Sequence, residues 1–149
     1  MVTYEALHQQ NHQITELSNV LAHLLTDRSM CDTGTCCELF YRYMDMVHEH
    51  MDVVDTHLYP RLIKHSDTKV NNLAKGFMNG SVELKRIMNQ YSRKWCHPRH
   101  HELAIGDRYD SFITETREMF DLILDRIQRE TEHLYPVVRE ITGDHQRAA

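Results

Sequence analysis

Turn-forming residues are scarce in this chain. Five glycines and three prolines in 149 residues are too few for the many tight turns of a β-sandwich or barrel. Long apolar runs are missing too, and no stretch approaches the ~20 residues a membrane-spanning helix needs, so no membrane partner is expected. Met1 to Gln10 has neither the charged start nor the apolar middle of an export signal, which points to the cytoplasm. There the four cysteines, Cys31, Cys36, Cys37 and Cys96, are expected as reduced thiols. Seventeen Lys and Arg are interspersed among 22 Asp and Glu, giving a net charge of −5. Without a basic stripe to neutralise phosphates, nucleic acid is not an expected partner. Nucleophile–base pairs, glycine-rich phosphate loops and paired acids at catalytic spacing are also lacking, so the chain is not read as an enzyme.

What is abundant is apolar residues at helical spacing. They make up 41% of the chain, enough for one core, and residues 1–149 are read as a single domain. A period near 3.6 runs through four segments. The first, roughly Tyr4 to Thr26, carries Leu7, Ile14, Leu17, Leu21 and Leu24. The second, from near Cys36 to just past Ile63, carries Leu39, Tyr43, Met46, Val47, His50, Val54 and Leu58. Along the third lie Val70, Leu73, Phe77, Leu84, Ile87, Tyr91 and Trp95, with Gly80 and Ser81 where another large residue would continue the stripe. Such small residues permit a close approach. The fourth runs from Phe112 to Ile141 and is interrupted by Glu130. Polar connections at Asp27 to Thr35, Lys64 to Lys69 and His97 to Asp107 complete an all-α, up-down-up-down four-helix bundle.

A tetrad repeats inside this pattern. His57, Leu58, Tyr59 and Pro60 end the second segment, and His133, Leu134, Tyr135 and Pro136 recur near the end of the fourth. The repetition implies two helical hairpins of similar design, each bent or weakened where the proline removes a backbone donor.

These segments resemble the hemerythrin-like family, in which His-x-x-x-Glu precedes an apolar-aromatic-Pro exit. The resemblance covers most of the chain. His50 stands in the histidine position of the second helix with Val54 in the glutamate position, while Arg126 and Glu130 stand in those two positions on the fourth. In that family the paired positions imply a non-haem di-iron centre that handles oxygen, nitric oxide or iron. Residues four apart share a helix face, so one helix can offer an imidazole and a carboxylate to the same ion. The candidate metal ligands are therefore His50 and Glu130, joined by His12, in a segment resembling the family's first helix, and His57. On a helical wheel His12 lies roughly opposite the Ile14, Leu17 and Leu21 stripe, with Asn11 nearer the core. No histidine occurs between Ser66 and Cys96, and a permanent cation at Arg126 would repel a metal or pair with Glu130.

Two functions follow as expectations. One is a hemerythrin-like module with an incomplete site, holding iron through His50 and Glu130 and binding or sensing a small diatomic ligand. The other is a metal-free regulatory module that binds a protein partner. For the latter, His50 to Asp55 and Arg126 to Glu130 resemble segments of the bacterial anti-sigma regulators. At one end of the expected bundle, Cys31, Cys36 and Cys37 can approach Cys96, His97, His100 and His101. Their spacing matches no zinc-finger pattern, so ordinary thiols are expected there.

Overall fold

A computed structural model describes residues 3–97 and 100–143. The ends of the 1–149 domain and Pro98 of the third connection lie outside the described residues. The described residues are helical with no strand, the one β-type contact being an isolated bridge between Cys96 and Leu103. No described helix is long and apolar enough to cross a membrane.

Helix α1 spans Tyr4–Leu24, α2 Arg28–Cys31 and α3 Gly34–Val53. After a π-helical turn at Val54–Leu58 come α4, Tyr59–Ile63, and α5, Thr68–Trp95. Helix α6, Tyr109–Arg129, passes through a second π turn at Glu130–Leu134 into α7, Tyr135–Thr142. Short polar side chains start four of these helices. Thr3, Asp27, Thr33 and Asp67 each accept a bond from a first-turn N–H that would otherwise lack a partner. One such cap changes the expected first connection. Asp27 accepts from both the backbone N–H and the hydroxyl of Ser29, at 3.0 and 2.7 Å, and so starts the one-turn α2 that places Cys31 in the interior.

The repeated tetrad has a common backbone consequence. Pro60 and Pro136 cannot donate to the helix ladder, and a proline ring collides with the carbonyl four residues back. In each case the helix widens by one residue. The N–H of Tyr59 bonds the carbonyl of Val54, and that of Tyr135 bonds the carbonyl of Glu130. The helical run therefore continues through each proline by way of a π turn, and both tyrosines point inward, each 1% exposed or less. The two π turns begin at Val54 and Glu130, the two candidate carboxylate positions.

Helix α1 packs on α3 and α6, and α5 packs on α4 and α6. The interior divides into two apolar clusters. The larger includes Ile14, Met51, Leu84, Trp95 and Ile127; the smaller includes Leu7, Val54, Phe77, Leu134 and Tyr135. Between them on every long helix sits a buried polar residue: Asn11 on α1, His50 on α3, Ser81 on α5, and Arg126 with Glu130 on the last helical run.

Candidate functional site

His50 is 4% exposed and Glu130 1%, and the two meet directly. His50 Nε2 lies 2.8 Å from Glu130 Oε1 and 3.2 Å from Oε2. Its other ring nitrogen, Nδ1, is 2.8 Å from Gln10 Oε1 on α1. Which ring nitrogen donates depends on the tautomer, and the tautomer with its hydrogen on Nε2 donates to the carboxylate. A proton between Nε2 and the carboxylate allows Glu130 to be buried in a seam where an unpaired charge would be costly.

Arg126, one turn before Glu130, is the third member. Its Nη1 donates to the carbonyl of Phe77 at 2.9 Å and its Nη2 to the hydroxyl of Tyr59, while Nε stands 3.9 Å from Glu130 Oε2. The guanidinium also lies over the Phe77 ring, 4.9 Å from its centre. Burial raises the Tyr59 hydroxyl above its usual range, so it accepts from the arginine as a neutral phenol. Tyr135, raised by burial and then by the charge of Glu130, accepts from Asn11 Nδ2 at 2.6 Å. Ser81 donates to Asp55 at 3.1 Å. The remaining cavity, bounded by His50, Val54, Tyr59, Ser81, Arg126 and Glu130 among others, is about 10 Å³. That is about the space one water requires.

The structure thus brings together two of the four candidate ligands. His12 is not with them. It lies on the exposed side of α1, its side chain 61% exposed and 3.2 Å from Glu16, because the 3.6-residue period turns Asn11 inward instead. His57 is exposed as well, since in its π turn the inward positions belong to Val54 and Leu58. Sequence reasoning missed Gln10, which carries no signal of its own. It also missed the inward roles of Tyr59 and Tyr135, although the repeated tetrad marked both. Asn11 was legible from its wheel position.

The residues present do not fit iron. Among the described residues no group of three His, Cys, Asp or Glu side chains converges on one point. Two ligands leave an ion easily lost, and a guanidinium fixed beside Glu130 repels it. Ser81, the inward polar residue of α5, is bonded to Asp55, and Asn11 on α1 donates to Tyr135 through Nδ2 while its buried Oδ1 makes no hydrogen bond to the described residues.

Gly80 leaves the space that Arg126 fills. A Cβ there would come within 2.7 Å of Arg126 Nη1, so the small residue accommodates a side chain rather than a neighbouring backbone. The guanidinium is pinned by Phe77 and Tyr59, and Gly80→Ala is therefore expected to lose about 1 kcal/mol, overpacking outweighing the gain in helix propensity. Gly76, on the same helix, has open space where a methyl would stand, and should gain about 0.5–1 kcal/mol as Gly76→Ala. Urea unfolding of the pair checks the opposite signs.

At the cysteine end no zinc-type cluster forms among the described residues. All four thiols are free; Cys31, Cys36 and Cys37 are buried and Cys96 is partly exposed. The loop histidines are otherwise engaged. The ring of His101 stacks on Tyr41 with centres 4.6 Å apart, and the Tyr41 hydroxyl donates to the carbonyl of Glu102 at 3.0 Å. Burial raises all four thiols, Cys36 to about 11. At pH 8 native Cys36 is expected to react with iodoacetamide about a hundredfold more slowly than an ordinary thiol, with all four reacting readily in denaturant. Because the folded value lies above the usual 9.0, the stability this thiol contributes is complete below pH 9 and lost as pH rises to about 11.

Comparison of the chain with protein-family models, with curated proteins and with solved structures gives no match.

Proposed function

We propose that the chain is a metal-free, non-catalytic helical module that binds a protein partner, built as an up-down-up-down four-helix bundle. In this reading a hydrogen-bonded ionic layer replaces the metal centre that the hemerythrin-like resemblance implies. The observation that carries it is the buried Arg126 guanidinium, bonded to Phe77 and Tyr59 and standing 3.9 Å from Glu130 beside a cavity with room for about one water. A cation is already in place, and it is covalently part of the chain. The likeness of the His50 to Asp55 and Arg126 to Glu130 segments to anti-sigma regulators supports a partner-binding role.

The direct contact of His50 with Glu130 favours a second reading, one iron held by that pair for oxygen or nitric oxide binding. Anaerobic loading with iron(II), desalting and metal analysis by mass spectrometry separate the two. The metal-free reading expects less than about 0.1 iron per chain and no charge-transfer band after air exposure. One iron per chain, lost in Glu130→Ala, would establish the second reading instead. Affinity capture from the source cell's extract then tests the partner: one stoichiometric protein is expected, and a clean null counts against an interaction role.

A further inference from the structure

Arg126 separates the interior from an open groove of about 350 Å³ between α5 and the last helical run. That volume lies within the ~300–1,000 Å³ of small-molecule sites. Leu73, Gly76 and Phe77 supply an apolar lining, and Arg126, Arg129 and His133 supply nitrogen donors, with no carboxylate in the lining of a chain whose net charge is −5.

The donors differ in their availability. The Arg126 side chain is only 10% exposed, yet of its five N–H groups two make hydrogen bonds to described residues. Its Nε stands 3.9 Å from Glu130 Oε2, an ion pair beyond hydrogen-bond distance. A guanidinium this buried with unspent donors favours a second acceptor. Arg129 is held by Asp125 at 3.1 Å, but these side chains are 56% and 62% exposed, so the pair exchanges readily. His133 stands 3.8 Å from Glu132. No Cβ fills the groove at Gly76, where nothing lies within 4 Å of the position one would take.

We infer that this groove binds a carboxylate carried on a small apolar body. The carboxylate meets Arg126, with Arg129 at the rim, and the apolar body lies on Phe77 and Leu73. Such a group occurs in a free organic acid and in an acidic side chain beside an apolar one in a peptide.

The test is titration of the ¹⁵N-labelled full chain with phenylacetate, with its neutral analogue phenylacetamide, and with the blocked dipeptide acetyl-Asp-Leu-amide. Saturable shifts of the Gly76 and Phe77 amides and the Arg126 Nε–H are expected with the carboxylates and not with phenylacetamide. Tighter binding of phenylacetate identifies a free acid as the source, and tighter binding of the dipeptide a peptide segment. Gly76→Leu, which fills the groove at an unobstructed helical position, should keep the fold by circular dichroism and weaken binding by about tenfold or more. Absence of saturable shifts, equal shifts with phenylacetamide, or unchanged binding in folded Gly76→Leu would each overturn the assignment.

Discussion

Glu130→Ala is expected to cost about 3–5 kcal/mol, because removal of one member of a buried ionic cluster leaves the others desolvated without compensation. Glu130 is 1% exposed and accepts from His50 at 2.8 Å, with Arg126 at 3.9 Å. Two nitrogen-bearing groups would then remain around a cavity that cannot hydrate them fully. In a protein of ordinary stability this is up to half of the total, seen in thermal unfolding as a fall of about 10 °C. The converse replacement should behave differently. With His50→Leu, Arg126→Met and Glu130→Leu made together, the layer becomes continuous with the apolar clusters on either side, and stability should equal or exceed that of the parent. Urea unfolding of the four chains, including Glu130→Gln as an intermediate case, measures both effects. A cost below about 1 kcal/mol for Glu130→Ala would mean that the carboxylate is not the anchor of this layer.

The other large effect is a gain. Val54→Glu combined with Arg126→His should give a chain that holds about one iron or cobalt ion per molecule through desalting, where the metal-free reading expects the parent to hold none. Val54 is 2% exposed and borders the same cavity as His50 and Glu130. Residues four apart on each helix share a face, so the double change presents two imidazoles and two carboxylates to one space. It also removes the fixed guanidinium, and Gly80 keeps that side of the cavity open. Cobalt(II) gives two readouts, visible ligand-field bands and a rise in melting temperature, since an ion bound at a hundred times its dissociation constant adds about 2.7 kcal/mol. A double variant that folds and stays colourless would show that these four positions do not converge as the hemerythrin-like resemblance implies.

The all-helical character was legible in the sequence, because a 3.6-residue apolar period in four segments and a poverty of turn formers leave few other ways to bury the core. The meeting of His50 with Glu130 was legible too, as inward positions flanking apolar stripes. What the sequence could not disclose was which groups would complete their bonds. Gln10 lies 40 positions from His50, and Tyr59 lies 67 from Arg126. His12 illustrates the same limit, since its residue type suits a ligand while the helical period turns it to solvent, toward Glu16. The proline tetrads marked a local event, but only the packed chain decided that each helix would widen into a π turn and aim its tyrosine inward. Local periodicity is written in neighbouring residues and survives in one dimension. Hydrogen-bond partners and the small space left around Arg126 depend on where helices far apart in the chain come to rest against one another, and only tertiary packing sets that.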